Sequence, residues 1–378
     1  MTTDVRTPNR PSAAGSSTVA RAAQERYKVI DSDLHPSARS LEDLKPFLSK
    51  RWWDHLQTYG YRSRQGLYQG QVYPKAAPFA HRRDAIPPEG GFGGSNLEFM
   101  RSQYLDACNI EVAIMSPLNF TGQGDDNHEL SAALARAINE WQVECWTRLE
   151  PRLRASIVVP YEDTALSVEE IERWAEHPHF AQILLLTRTS EPLGRRRFWP
   201  IYEAAQKHGL PVGIHVFGAS GHPTSPAGWP SYYMEDMTSH AAACQGMLAS
   251  FALEGVFERF PGLKIINIEG GFAWLPAFEW RLDKHWERMR GEVPHLKRPP
   301  SEYLREGLRI STQPFEEPEN PKHLIDIFEW IGYDRLLFAT DYPHWDFDDP
   351  ATTLPRQIGP ERMQQILSGN ARKLYRLG

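Results

Sequence analysis

Cysteine is scarce in this chain: Cys108, Cys145 and Cys244 stand far apart among 378 residues, with no Cys-x-x-Cys pair. That excludes a disulfide framework and a thiolate metal site, and it fits a reducing cytoplasm. Long apolar runs are missing too; none approaches the roughly 18 residues a membrane-spanning helix needs. No block of basic residues occurs and the net charge is −6, so neither nucleic acid nor a membrane is expected as a partner. Residues 1–24 are rich in Ser, Thr, Ala, Pro and Arg but lack the apolar stretch of a secretory signal. They read as a disordered leader ahead of a single domain at 25–378. A soluble, cytoplasmic protein is expected.

An apolar content of 41% and 11% aromatics provide for a large core. Eight short apolar, β-branched runs stand out, at 28–33, 112–116, 155–160, 182–186, 211–215, 264–268, 308–312 and 336–340. Helical periodicity fills most of the intervals, as in 130–149, 168–175, 198–208 (stopped by Gly209) and 361–375. Strand and helix alternating eight times predicts an α/β fold, a (β/α)8 TIM barrel. A doubly wound open sheet is the alternative, disfavoured because no Gly-rich phosphate loop follows the first run. Long insertions follow strands one and five, at residues 52–95 and 217–239. Both are rich in Trp and Tyr, and on a barrel both emerge at the catalytic face. They are candidate lids, or else decoration or a subunit contact; their size suggests a homodimer.

The chemistry is written where the strands stop. Val29-Ile30-Asp31-Ser32-Asp33-Leu34-His35 ends the first run, Pro211-Val212-Gly213-Ile214-His215 the fifth, and Phe338-Ala339-Thr340-Asp341 the eighth. The C-terminal ends of barrel strands converge on one mouth, so Asp33, His35, His215 and Asp341 can meet at one ion. Two carboxylates and two imidazoles suit a single divalent metal, zinc first, with manganese or iron as alternatives.

These pieces resemble the metal-dependent amidohydrolase superfamily, and more closely its branch of aminocarboxymuconate-semialdehyde-decarboxylase-like enzymes. Phe260-Pro261-Gly262 leading to Ile268-Glu269-Gly270-Gly271, and the closing Gly369-Asn370-Ala371-Arg372-Lys373-Leu374, belong to the same likeness, which covers about Tyr27 to Leu377. The resemblance implies a barrel holding its metal through the strand-one pair, the strand-five His and the strand-eight Asp. The chain departs from the pattern twice. Asp33 stands where the first motif usually has His, and Glu269 stands where strand six usually has His. Glu269 could ligate the ion, act as a base or meet a cationic substrate group. Strand four has no lysine, the residue that binuclear members carbamylate to bridge two ions, so one metal is expected.

The resulting expectation is a mononuclear hydrolase in which a metal-activated water attacks a small, cyclic or aromatic, carbonyl-containing substrate, with Asp341 as general base. Non-oxidative decarboxylation of an aromatic or unsaturated carboxylic acid is the runner-up, and a non-catalytic metal-binding barrel the third reading. Glu269 and His344 join Asp341 as catalytic candidates, although His344 could equally orient Asp341 or be structural. Arg188 is expected to hold a substrate carboxylate, or else to pair with a neighbouring acid. Trp229 and Tyr232 are expected to pack against the substrate ring. Asp346, Asp348 and Asp349 read as an exposed loop and helix cap, Asp31 as structural or supporting, and His240 and His285 as helix residues of lower rank.

Overall fold

The computed structural model describes residues 27–61, 80–216 and 223–378. The proposed leader, the insertion aromatics Tyr73 and Phe79, and His222 lie outside these residues. Eight parallel strands follow one another in sheet order: β1 Val29–Leu34, β2 Ile110–Met115, β3 Leu153–Val158, β4 Phe180–Leu186, β5 Val212–His215, β6 Ile265–Ile268, β7 Leu308–Ser311 and β8 Leu336–Leu337. Ser32 N donates to Phe338 O at 2.9 Å and His35 N to Tyr342 O at 2.8 Å, which brings the last strand back to the first. The expected barrel is therefore the observed one.

The principal helices around it are α1 Lys50–Tyr59, α2 His128–Gln142, α3 Thr164–Trp174, α4 Trp199–His208, α5 Tyr233–Leu253, α6 Leu275–Met289, α7 Pro300–Gly307 and α8 Pro321–Ile331. Their ends follow local chemistry. Asn127 caps α2 by accepting from Leu130 N at 3.1 Å, and Asp163 caps α3 by accepting from Ala165 N at 3.0 Å. Gly209 closes α4 in the left-handed region, at φ 64°. No helix among the described residues is long and apolar enough to cross a membrane.

β4 is buried at all seven positions, as a strand covered on both faces must be. Ile30, Val112, Ile114, Ala181, Ile266, Ile268 and Leu337 form an apolar cluster with Ala371 and Tyr375, while a larger cluster fills the space between sheet and helices. The smaller cluster thus joins β1, β2, β4, β6 and β8 to the C-terminal segment. The strand ends that carry charged side chains are left to form the mouth.

β8 departs from its expected length, stopping at Leu337 instead of reaching Thr340. Side chains take over its hydrogen bonding. Ser32 Oγ binds Phe338 O at 2.8 Å, and Asp31 Oδ1 accepts from Thr340 N at 3.0 Å. Asp31 also accepts from Tyr104 OH and Thr340 Oγ1. Burial raises its carboxyl to about 6 against the pull of those donors. Asp31 thus ties β1 to the backbone immediately before Asp341.

Candidate metal centre

Asp33, His35, His215, Glu269 and Asp341 are all buried at the strand ends. The ligating atoms of Asp33, His35, His215 and Glu269 lie within 4.8 Å of one another, and so do those of His35, Glu269, Asp341 and His344. The two groups share His35 and Glu269, so they outline one pocket. Its geometry unites the four ligands expected from sequence and adds Glu269 and His344 to their neighbourhood.

Hydrogen-bond direction shows what this pocket needs. His35 Nδ1 lies 2.7 Å from Ser116 O, a carbonyl that can only accept, so Nδ1 carries the proton. A neutral His35 then turns its Nε2 lone pair toward Asp341 Oδ1 at 2.9 Å and Asp33 Oδ2 at 3.4 Å. His215 Nε2 stands 2.9 Å from Glu269 Oε2 and 3.5 Å from Asp33 Oδ2. Lone pairs facing carboxylates repel unless a cation lies among them. Both Asp33 oxygens and Glu269 Oε2 are buried without a hydrogen bond, a costly state for carboxylates.

The titration behaviour has the same cause. Burial works against the charged form of Asp33, yet His35 and His215 hold its carboxyl far below the usual range. Burial opposes protonation of His215, but Asp33 and Glu269 raise it to about 9. Burial and the nearby Asp341 charge push Glu269 up. Carboxylates crowded into low dielectric are drawing in protons, the response that a divalent ion would replace. The donor set of carboxylate oxygen and imidazole nitrogen fits such an ion.

Two of the acids occupy strained backbone. Glu269 has φ 55° and Asp341 φ 59°, in the left-handed region that costs a non-glycine residue roughly 1–2 kcal/mol. Glu269 N donates to Ser311 Oγ at 3.1 Å, which helps to fix its turn. Asp341 is held at both oxygens. His344 Nδ1 bonds Oδ1 at 2.6 Å and Gln313 Nε2 donates to Oδ2 at 3.1 Å. Burial would raise the Asp341 carboxyl, but His344 and His35 keep it below the usual range.

The other sequence candidates fall differently. Arg188 is buried at the end of β4, where its Nη2 meets both Asp236 oxygens at 3.0 Å. His240 lies buried on α5, and burial together with Arg188 pushes it down to about 3, so it is neutral. Trp229 and Tyr232 are 50% and 68% exposed, on the segment before α5. Their neighbour Tyr233 is half-buried, and its OH accepts from Trp345 Nε1 at 3.2 Å. In the acidic stretch after His344, Asp349 is exposed and accepts from Ala351 N at 2.9 Å, as expected of a loop and cap, whereas Asp346 and Asp348 are drawn inward. Asp346 Oδ2 accepts from Gln313 Nε2 at 3.2 Å, and Asp348 Oδ2 from Phe315 N at 3.0 Å. Burial, reinforced by Asp341, raises their carboxyls to about 9 and about 8.

Gln313 escaped the sequence reading although it directly follows a recognised strand, a position that was signal enough. His81 carried no signal, because it sits in an irregular insertion. It is buried, and an antiparallel bridge joins it to His344.

Comparison with known proteins bears on the family and the fold. A family model described as amidohydrolase (Amidohydro_2) matches residues 30–377. Gamma-resorcylate decarboxylase of Polaromonas sp. is 25% identical over 302 residues, 75% of this chain and 88% of that one. The crystal structure of 5-carboxyvanillate decarboxylase from Sphingomonas paucimobilis matches with a TM-score of 0.68 at 21% identity, covering 93% of this chain and all of the other. A dihydroxybenzoic acid decarboxylase structure from Polaromonas, with bound manganese and 2-nitroresorcinol, matches with a TM-score of 0.62 at 21% identity, covering 93% and 97%. These relatives overturn the hydrolase expectation, since they are decarboxylases of aromatic acids. The metal in the Polaromonas structure is manganese, so a single divalent ion is supported and zinc is not. With its barrel, its mouth of carboxylates and imidazoles, and a match over nearly all its length, the chain belongs to the amidohydrolase family.

Proposed function

We propose that this protein is a divalent-metal-dependent, non-oxidative decarboxylase of a hydroxylated aromatic carboxylic acid. The observation that carries the reading is the buried cluster of Asp33, His35, His215, Glu269 and Asp341, whose lone pairs converge on one pocket. The decarboxylase relatives supply the reaction class. Asp33, His35, His215 and Asp341 would hold the ion, with Glu269 close enough to join them. A divalent ion there supplies Lewis acidity, drawing charge from a carboxylate and an adjacent hydroxyl, and manganese is the first choice.

The chain's own groups handle the proton. Asp341, oriented by Gln313 and His344, delivers it to the ring carbon that bears the carboxylate. The bond to the carboxylate carbon then breaks, its electron pair returns to the ring and CO2 leaves. The product carries hydrogen where the carboxylate was, and His344 returns a proton from solvent to Asp341. Arg188 forms a cationic wall and not a bidentate clamp, because Nη2 is committed to Asp236. Trp229 and Tyr232, exposed before α5, are kept as candidate contacts for a substrate ring.

The test is CO2 release from 2,6-dihydroxybenzoate and 5-carboxyvanillate by manganese-loaded protein, with Asp341→Asn as control. Release by the wild type that the variant lacks is expected. Folded, metal-saturated protein that releases no CO2 from a panel of hydroxybenzoates would overturn the proposal.

A further inference from the structure

The insertion after β1 returns to the mouth at residue 80 and is stitched onto the loop after β8. Arg82 N donates to Pro343 O and Trp345 N to Ala80 O, both at 2.8 Å. Between these bonds the insertion delivers one imidazole. His81 is 4% exposed, and its ring lies 5.7 Å from that of His344, with the planes 13° apart. His344 is also stacked with His35, at 4.4 Å and 26°. Three imidazoles therefore form a stack, and the middle one holds Asp341.

The backbone is shaped to keep the outer ring in place. Gly93 N donates to His81 Nδ1 at 3.1 Å. A Cβ on Gly93 would come within 3.1 Å of both His81 Cγ and Pro343 Cβ, so any larger residue would press on the His81 ring. On Gly94 it would collide with the His35 carbonyl oxygen. Gly93 thus lies against the His81 ring and Gly94 against the His35 backbone.

We propose that His81 is a positioning residue of this site, its ring face holding His344 in the plane from which His344 orients Asp341. The proposal rests on the decarboxylase reading for its catalytic consequence, but not for its geometry. A side chain bonded through one nitrogen, as His344 is through Nδ1, can still swing about that bond. Two near-parallel rings stacked with His344 restrict that swing, and small misplacements of a catalytic group cost rate steeply.

Three substitutions separate ring face from hydrogen bond. His81→Phe keeps the flat face and loses the acceptor for Gly93 N; His81→Asn keeps an acceptor and loses the face; His81→Ala loses both. Each is studied as zinc-loaded protein, which is diamagnetic, by the imidazole 15N shifts of His344, assigned with His344→Gln. Turnover is measured separately on manganese-loaded protein. The Ala and Asn variants are expected to move the His344 shifts and lower kcat by about ten- to a hundredfold, with KM little changed. The Phe variant is expected to restore both. Restoration by Asn and not by Phe would overturn the proposal, since His81 would then serve only the Gly93 loop. Unmoved His344 shifts in all three would overturn it as well. If the wild type releases no CO2, the proposed function fails alone, and the His344 shifts still decide the role of His81.

Discussion

Asp341 and Glu269 are the residues on which this site turns, and both sit where the backbone resists a side chain. Aspartate tolerates the left-handed region better than glutamate does, so Glu269 is the more strained of the two. It is also a buried carboxylate pushed upward by burial and Asp341. Glu269→Gln removes that charge while keeping the shape. The metal-free variant is expected to melt no lower than wild type, while its affinity for manganese falls on the order of tenfold or more, measured by calorimetric titration. Asp341→Asn is expected to lower the decarboxylation rate by about 10²–10⁴-fold with the fold intact, as judged by circular dichroism. His215→Ala is expected to lose metal by elemental analysis, because the remaining donors leave its corner of the pocket open. The carboxylates and imidazoles at the strand ends were legible because a polar group placed against an apolar run is costly to bury without an ion or a partner to meet. The role of Glu269 was not legible, since sequence could not tell whether its carboxylate would ligate the ion, act as a base or meet a cationic substrate group.

At the level of elements, the described ends of the long insertions are bonded to the loop that carries Asp341 and His344. Ala80 and Arg82 bond the loop after β8, and Trp345 on that loop bonds Tyr233 at the start of α5. Gly94 is the tightest point of this assembly, with φ 73° and no room for a Cβ against the His35 carbonyl. Gly94→Ala is expected to destabilise the protein by more than about 1 kcal/mol of backbone strain alone. It should also displace His35, so a lower melting temperature together with a lower metal content checks it. The strands were legible as elements because apolar β-branched runs have a fixed period. The shortening of β8 was not, because Asp31 and Ser32 compete for its backbone from the far end of the chain. The fate of Trp229 and Tyr232 was hidden for a related reason: adjacent aromatics at a helix start point in different directions, and only packing chose Tyr233.

For the molecule as a whole, the mouth concentrates acids, and this makes the metal-free protein sensitive to pH. Burial and Asp341 raise Asp346 to about 9 and Asp348 to about 8. The folded state therefore keeps protons that an unfolded carboxylate, with its ordinary value near 4, has already released. A raised carboxylate pKa contributes stability at low pH and loses it as pH rises toward the folded value. The metal-free protein is expected to melt at progressively lower temperature from about pH 5 to pH 9. Asp346→Asn should flatten that slope, and thermal melts across the range check both. Bound manganese should also flatten it, since a nearby divalent charge favours the ionised acids.

The sequence by itself determined the barrel, the strands that form it, and the four candidate ligands at their ends. Each follows from local alternation of apolar and polar residues or from a charged residue at a strand terminus. Tertiary structure alone decided that Glu269 faces His215, that Gln313 and His344 fix Asp341 from two sides, and that His81 completes a stack of rings. Those contacts join residues from separate strands and from an irregular insertion. Their energies depend on burial and direction, which exist only once the barrel has closed.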